Sequence, residues 1–300
     1  MKWTFEQLKT FKVVAELGTM TSAAEALGLT PGAVSQQMAA LQAGLQHSIF
    51  ARDGRRVTLT DAGVTLLRYT RVLLEDERRA AIALSGPQSE QRTVVSVGVF
   101  GSAAVSAIGP AIERLRTTSP NVVIQATEVD VEIMPQAILD YQIDIALGLS
   151  YQNAPQPPLR GVMVEVLHHE PFLMVLPPEA RDIANNRGAL VDYANATDWV
   201  LPPVETYFGR ACRFACAEAG IEPKVQHTVT DTAVSIALAE SGGGITLATP
   251  LMMGLRPTDS PVATLPGNSH RSIVAIARSS ALQKASVSAV RDALIHAFSG

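Results

Sequence analysis

The stretch from Thr19 to Gln42, TMTSAAEALGLTPGAVSQQMAALQ, decides how the amino-terminal part of this chain folds. It predicts two short helices joined by a tight turn. Residues 21–25 open the first helix with hydroxyl groups available for capping, and Gly28 lets the chain leave that helix at low steric cost. Thr30 is placed to cap the second helix, with Pro31 at its first position, where a missing N–H group costs nothing.

The second helix, predicted over Gly32–Gln42, has two different faces. Val34, Met38 and Leu41 recur at positions i, i+4 and i+7, so we expect them to face inward. A polar face of little bulk suits a helix that enters the major groove of DNA and forms hydrogen bonds with base edges. The outer face is left with Ala33, Ser35, Gln36 and Gln37. Paired amphipathic helices also occur in all-α proteins that do not bind DNA, so the pattern alone leaves both interpretations open.

The segment Ala51–Leu59, ARDGRRVTL, predicts a hairpin shortly after this second helix. Asp53-Gly54 is a turn signal, and Val57-Thr58-Leu59 alternates in the way of a short strand. A hairpin in this position is the wing of a winged helix, and its arginines can contact phosphates or lie along the minor groove. The alternative is a solvated basic turn.

The whole amino-terminal sequence resembles the corresponding domain of LysR-type transcriptional regulators. The resemblance includes a leading helix with Leu8, Phe11 and Val14, the AVSQQ core, and RRVTLTDAG at residues 55–63. It implies a winged helix-turn-helix over residues 1–60 that binds double-stranded DNA. Pattern and resemblance together assign the DNA contacts to Thr21, Ser22, Thr30, Pro31, Gly32, Ala33, Ser35, Gln36, Gln37, Arg52, Arg55 and Arg56.

The predicted recognition helix departs from the family because it carries no charge. Gln36 stands where many members of the family have arginine. Affinity for DNA is therefore expected to come from the hairpin and from Lys9 and Lys12, and base recognition from hydrogen bonds of Ser and Gln side chains.

Thr60 and Asp61 predict the start of a long helix that runs to about Leu84, followed by a polar hinge at 85–91. Residues 61–91 are thus a linker. Two apolar lines, one able to pack on the head and one able to meet a partner chain, argue against a solvent-exposed helix in a monomer. The resemblance implies a homodimer or homotetramer built through this helix. The two lines consist of Ala62, Leu66, Tyr69, Leu73, Ala80 and Ala83, and of Leu67, Leu74 and Ala81.

Residues 92–300 alternate strand and helix patterns, which indicates βαβ units and a parallel sheet. They resemble the two-lobed, periplasmic-binding-protein-like (type 2) effector domain of LysR-type relatives. The predicted fold class is therefore α/β with an N-terminal winged helix-turn-helix and a long linker helix. We place lobe I at 92–162 and 268–300, and lobe II at 163–267.

In such a domain, a small-molecule effector is expected between the lobes, near strand carboxyl ends and helix amino termini. The hydroxyl of Ser102 and the following N–H groups could hold an anion. Val131 stands where relatives often have a polar contact, which suggests a less polar effector. Tyr207 and Phe208 could instead be ordinary helix packing. The predicted effector contacts are Ser102, Ala103, Val131, Pro202, Tyr207, Phe208 and Thr246.

Composition agrees with a modular regulator. The net charge is −4, but residues 1–71 hold eight basic and five acidic residues, whereas 93–300 hold thirteen and nineteen. A mildly basic head on an acidic body fits a protein that touches DNA with its head only. No run of about 18 apolar residues predicts a membrane span, and no signal peptide is evident, so a cytoplasmic location without membrane contact is expected. The resemblance also allows RNA polymerase as a partner.

No pattern in the sequence predicts an enzyme or a bound cofactor. Gly242-Gly243-Gly244 lacks the Lys-Ser/Thr of a phosphate loop, and His168, His169 and His270 lack partners at metal-ligand spacing. Two alternatives stay open at this point. One is a solute-binding or enzymatic α/β protein whose helical head only mediates assembly. The other is a redox sensor that uses Cys212 and Cys216, although buried structural thiols fit these residues better.

Overall fold

The computed structural model describes residues 3–53, 56–84, 92–152 and 159–299. The chain divides into two compact units. The first comprises residues 1–91 together with the short segment 139–142, and the second comprises 92–138 and 143–300. None of the helices in the described ranges is long and apolar enough to cross a membrane.

The first unit is a three-helix head with a hairpin and a long helix. Thr19 caps the second helix by accepting a hydrogen bond from the N–H of Ser22 at 3.1 Å, so that helix begins before residues 21–25, where the sequence placed its start. Thr30 caps the third helix as predicted. The elements are α1 (Phe5–Leu17), α2 (Met20–Leu27), α3 (Pro31–Ala43), β1 (Phe50–Asp53), β2 (Arg56–Leu59) and α4 (Asp61–Leu84).

The core of the head forms where α1, α2 and α3 meet. Val34, Met38 and Leu41 are buried in it, which confirms the inward face predicted for α3. The rings of Phe11 and Phe50 lie 5.6 Å apart and join α1 to the hairpin. These contacts give α3 a rigid support, since the hydrophobic burial of one face fixes which side of the helix remains outside.

Helix α4 packs on the head along its first half. Leu66 is buried, and Leu67, Leu73 and Leu74 pack against the core of the head, so both predicted apolar lines contribute to this packing. Tyr69 is 56% exposed and stands at the edge of an apolar groove of about 640 Å³. The groove is lined by residues of the head and of α4, among them Trp3, Leu45, Ile49, Ala62, Leu66, Val72 and Leu73.

The second unit alternates strands and helices. In chain order its elements are β3 (Thr93–Val99), α5 (Gly101–Thr118), β4 (Val122–Glu128), α6 (Met134–Leu139), β5 (Ile145–Tyr151), β6 (Val162–Pro171), β7 (Leu173–Val175), α7 (Arg187–Ala196), β8 (Asp198–Leu201), α8 (Tyr207–Glu218), β9 (Lys224–Thr228), α9 (Thr232–Glu240), β10 (Ile245–Ala248), α10 (Pro250–Leu255), β11 (Val262–Thr264), β12 (His270–Arg278) and α11 (Ala285–Ala297).

These strands form two five-stranded sheets, and each sheet is the centre of one lobe. The first has the order β4-β3-β5-β12-β6 and the second β11-β7-β10-β8-β9. Both sheets are mixed. In the first, β12 runs antiparallel to β5 and β6, and in the second, β7 runs antiparallel to β10 and β11. The prediction of parallel sheets was therefore wrong for the strands that lead into and out of the crossings between the lobes.

Strand β6 also corrects the predicted boundary between the lobes. The sequence placed lobe II at 163–267, but residues 162–171 pair with β12 in the first sheet, with Val166 opposite Val274. Lobe I therefore extends to Pro171. The local pattern of β6 predicts a strand but carries no information about which sheet the strand joins, because pairing is decided by contacts distant in sequence.

Candidate nucleic-acid interface and ligand cleft

The outer face of α3 is a narrow exposed stripe. Its exposed residues follow the helical repeat in pairs, at i, i+1, i+4, i+5, i+8 and i+9. Ser35 and Gln36 are the polar members in the middle of the stripe. The other members have no bulky side chain, so the backbone of α3 can approach a groove closely. The stripe consists of Pro31, Gly32, Ser35, Gln36, Ala39 and Ala40, of which the sequence did not single out the two alanines.

Gln37 does not belong to this stripe, although the sequence assigned it to DNA. Its side chain accepts a hydrogen bond from the hydroxyl of Thr10, which is only 2% exposed in α1. Position 37 lies on the flank of α3 between the exposed face and the buried face. A long amide side chain at that flank reaches back to the buried hydroxyl, so Gln37 supports the packing of α3 on α1.

The predicted DNA contacts in α2 and at the start of α3 also differ in their exposure. Thr21 and Thr30 are exposed, whereas Ser22 is half-buried and its hydroxyl oxygen accepts a hydrogen bond from Thr19 at 2.8 Å. The hydroxyl of Thr30 accepts a hydrogen bond from the N–H of Ala33 at 3.2 Å. Ser22 and Ala33 therefore contribute to the helix starts, Thr21 is exposed in α2, and Thr30 is an exposed cap directly before the stripe.

The hairpin is present and is fixed to the head by its backbone. Arg52 lies opposite Val57, and Arg56 opposite Asp53, in the antiparallel ladder of β1 and β2. The N–H of Val57 donates to the carbonyl of Gly18 in the turn between α1 and α2, at 2.9 Å. Arg55, the third predicted arginine, lies outside the described residues.

Lys9, which was expected to bind phosphate, already has partners inside the head. Its Nζ lies 3.3 Å from Glu6 and 3.4 Å from Glu77. The hydrogen bond with Glu6 and the nearby carboxylate of Glu77 raise the pKa of Lys9.

A cleft of about 650 Å³ opens in the second unit, at the ends of strands from both sheets. Four of the seven predicted effector residues line it: Ser102, Val131, Pro202 and Phe208. The remaining lining residues include Phe100, Glu128, Asp130, Glu132, Leu149, Tyr151, Thr206, Asp231, Thr232, Met252, Leu255 and Arg271.

The other three predicted residues do not line this cleft. Ala103 is fully buried in α5, and Thr246 is buried in β10, which pairs with strands on both sides. Tyr207 begins α8, and its ring lies under the guanidinium of Arg210 at 4.6 Å. Its N–H donates to Glu132 at 2.8 Å, so Tyr207 contributes a backbone contact to the rim. Ala103 and Tyr207 are the chain neighbours of the lining residues Ser102 and Phe208, so an error of one position changes which residue faces the cleft.

Ser102 lines the cleft but already has a hydrogen-bond partner there. Its hydroxyl oxygen accepts a hydrogen bond from Nη2 of Arg271 at 3.1 Å. The same guanidinium pairs with the carboxylate of Glu170 at 2.6 Å, and Glu170 accepts a second hydrogen bond from the N–H of Leu251 at 2.8 Å. Glu170 and Arg271 are at most 1% exposed, so they form a buried ion pair that joins the ends of β6 and β12 to α5 and α10.

Sequence reasoning missed Tyr151 and Arg271, which belong to the same wall. Tyr151 is the last residue of β5 and Arg271 the second residue of β12, its antiparallel neighbour, and the two are paired in register. The signal that could have found Tyr151 is its place at the carboxyl end of a strand, where ligands of α/β domains bind. The sequence around Arg271 gives no comparable signal. Arg271 reaches the cleft only because β12 joins the first sheet after the chain has passed through lobe II.

The two cysteines are buried and unlinked in α8. Burial raises the pKa of Cys212 well above its ordinary value and that of Cys216 to about 12. Both thiols are therefore protonated at neutral pH, whereas redox-active cysteines are exposed thiolates. Within the described part of the chain, no group of three or more His, Cys, Asp or Glu residues could hold a metal ion.

Two family models match the chain. The bacterial regulatory helix-turn-helix protein, lysR family, matches residues 5–64, and the LysR substrate binding domain matches residues 88–299. Among curated proteins, the nitrogen assimilation regulatory protein nac of Escherichia coli (strain K12) is 31% identical over 172 residues. That match spans 57% of this chain but only 55% of the relative, little more than half of its length.

Other relatives match over nearly their full length. The HTH-type transcriptional regulator ShiR of Corynebacterium glutamicum (strain R) is 27% identical over 295 residues, 96% of this chain and 95% of the relative. Among solved structures, full-length CbnR complexed with its target DNA has a TM-score of 0.67 and 21% identity over 98% of this chain and 99% of that one. At that identity the likeness shows the fold alone. The two family matches, which together span most of the sequence, show that this chain belongs to the LysR family of bacterial helix-turn-helix transcriptional regulators.

Proposed function

We propose that this chain is a sequence-specific DNA-binding transcriptional regulator whose operator binding is modulated by a small molecule in the cleft of the second unit. The observation that carries the proposal is the exposed stripe of α3. It is narrow, uncharged and centred on Ser35 and Gln36, within a head that matches the family of regulatory helix-turn-helix proteins.

Affinity and specificity would come from different residues. An amide and a hydroxyl can form hydrogen bonds with base edges in the major groove, and these bonds distinguish one base pair from another. Arg52, Arg55 and Arg56 would contact phosphates, which are present in every sequence. We therefore assign specificity mainly to α3 and affinity mainly to the hairpin.

The proposed partners besides DNA are a second copy of this chain, a small molecule and RNA polymerase. Self-association would use the apolar groove beside α4, because a dimer places two recognition helices on successive half-sites. Binding of a small molecule in the cleft would shift the population between two DNA-binding geometries. RNA polymerase is a further proposed partner, and since the proposed target is chromosomal DNA, we propose the cytoplasm as the place of action.

The test is binding of the full chain to DNA from its own upstream intergenic region, measured by fluorescence anisotropy over a salt series and compared with random DNA. We expect Gln36→Ala to lower the preference for the upstream DNA by about five- to a hundredfold, the range of one bidentate base contact. We expect Arg52→Ala combined with Arg56→Ala to weaken binding to both DNAs and to flatten the salt slope by up to about two.

Gln125→Ala is the matched control, because this glutamine is exposed on β4 and belongs to the second unit. It should leave both binding curves unchanged. A chain that shows no preference for the upstream DNA at any salt concentration, with its oligomeric state verified, would contradict the proposal. The cleft would then be the functional part, as in a solute-binding protein.

A further inference from the structure

The cleft of the second unit combines an apolar wall with an acidic rim. Aromatic rings of Phe100, Tyr151 and Phe208 and the side chains of Leu149, Met252 and Leu255 supply apolar surface. In contrast, four exposed carboxylates lie around it, while Arg271 is the one guanidinium or ammonium group among the described lining residues. The four carboxylates belong to Glu128, Asp130, Glu132 and Asp231.

The acidic rim and the one basic lining group differ in their ion-pair partners. Asp130, Glu132 and Asp231 accept hydrogen bonds from backbone N–H groups. No ion pair between these four carboxylates and a described basic residue exists. Arg271, in contrast, is paired with Glu170 in the buried wall. A ligand in this cleft therefore meets a negative potential.

The hydroxyl of Tyr151 is an independent sign of a ligand. Tyr151 lines the cleft and is only 2% exposed, and no described group lies within hydrogen-bond distance of its hydroxyl oxygen. Its ring is stacked on Phe208, with the centroids 6.1 Å apart. Burial raises the pKa of this phenol, so the hydroxyl keeps its proton and can donate it in a hydrogen bond. A buried polar group without a partner is costly, and a ligand can supply the partner.

We propose that the cleft binds a small organic cation, an amine or a guanidine carried on an apolar body, with one polar atom that pairs with the hydroxyl of Tyr151. This inference rests on the proposed function, since it names the chemical class of the small molecule that acts there. The charge pattern favours a cation over an anion at the rim. The ring of Phe100, which lines the cleft, can accept a cation on its face, and this adds to the attraction.

The experiment is isothermal titration calorimetry of the full chain with two series of matched probes. Putrescine, 1,4-butanediol and succinate share a four-carbon body, and tyramine, tyrosol and 4-hydroxyphenylacetate share a phenol body that offers the further polar atom. The cationic member of at least one series should bind with a dissociation constant of about 1 mM or tighter, and its affinity should fall as salt is raised. The alcohols should bind more weakly and the anions weakest.

Two substitutions locate the site, and a third serves as the control. Glu128→Gln removes one rim charge and should weaken the cation about two- to fivefold without affecting the alcohol. Tyr151→Phe should weaken the cation about two- to tenfold and leave the melting temperature unchanged or higher, because no protein partner of the hydroxyl is lost. Glu222→Gln changes an exposed carboxylate outside the cleft and should have no effect.

Three results would overturn the inference: tighter binding of the anions than of the cations, no binding of either cation, or a Tyr151→Phe variant that binds the cation as the wild type does. Anisotropy with the upstream DNA, measured on the same preparation, shows whether the cation inference alone has failed or the proposed DNA binding has failed as well. Sequence-preferring DNA binding together with an anion in the cleft would retain the regulator and reject only the cation.

Discussion

The exposed stripe of α3 and the cleft of the second unit are built in different ways. The stripe comes from one segment of ten residues and is uncharged. The lining of the cleft comes from seven separate segments among the described residues, and a buried ion pair stands behind it. Exposed residues of the stripe can change without loss of stability, whereas residues in the wall of the cleft support the fold and the site together. Substitutions in the stripe should therefore change DNA binding alone, whereas substitutions in the wall of the cleft should also lower stability.

The largest effect is expected from Arg271→Ala in the wall of the cleft. Removal of the guanidinium leaves Glu170 buried without a counter-charge and should lower the free energy of unfolding of the second unit by about 3–5 kcal/mol. Urea unfolding can be followed by the fluorescence of Trp199, which is buried in β8, in a Trp3→Phe background. The double variant Glu170→Leu, Arg271→Met should recover most of the stability. A loss below about 1 kcal/mol would mean that the pair is exposed to water.

A smaller loss of stability is expected from a substitution at Gly63, near the start of α4 in the head. A Cβ atom on Gly63 would lie 2.1 Å from the carbonyl oxygen of Ile49, so Gly63→Ala should destabilise the head by about 1–3 kcal/mol. Gly109→Ala is the matched control in α5, where a Cβ atom meets nothing within 4 Å. Thermal unfolding should show a lower transition only for the Gly63 variant. Equal stability of both variants would contradict the close approach of α4 to the hairpin.

Two neighbouring glutamines should then behave differently within α3. Gln37→Ala removes the partner of the buried Thr10 hydroxyl and should cost about 1–2 kcal/mol of head stability, with the preference among DNA sequences retained. Gln36→Ala should change stability by less than about 0.5 kcal/mol and should lower the preference instead. Chemical unfolding and anisotropy on both variants give the comparison. A loss of preference in Gln37→Ala at full stability would return that residue to the DNA-binding surface.

The smallest effect on DNA binding is expected from the cysteines. Cys212→Ala with Cys216→Ala should bind upstream DNA like the wild type, in dithiothreitol or in hydrogen peroxide. Since burial raises both pKa values above that of the unfolded chain, the thiols contribute stability fully below the ordinary thiol pKa of 9.0, and this contribution is lost as the pH rises above it. The stability difference between wild type and variant should accordingly shrink above that pH. Peroxide-dependent DNA binding that the substitution abolishes would favour the redox alternative.

The head was largely predictable from sequence because its elements are encoded locally. The spacing of Val34, Met38 and Leu41 sets the inner face of α3, and Thr30 and Gly28 mark helix ends by their own chemistry. Side chains at the flank of a helix are harder to assign from sequence. Gln37 fits either face by periodicity, and its hydrogen bond with the buried hydroxyl of Thr10 depends on how α1 packs on α3.

The second unit was predictable in its elements but not in its assembly. The strand pattern of residues 162–171 is evident, yet its membership of lobe I depends on pairing with β12, about a hundred residues further along. The wall of the cleft also depends on contacts between residues that are distant in sequence. Phe208 was found because it follows a strand, whereas Arg271 and its partner Glu170 meet only after the chain has passed through lobe II and returned.

The exposed stripe of α3 is expected to contact bases at an operator. The most direct measurement is hydroxyl-radical footprinting of the full chain on its own upstream DNA, for the wild type and for Ser35→Ala combined with Gln36→Ala. We predict two protected half-sites separated by a multiple of about 10 base pairs in the wild type and loss of that discrete protection in the variant. Protection that is uniform along the DNA, or unchanged in the variant, would contradict the claim.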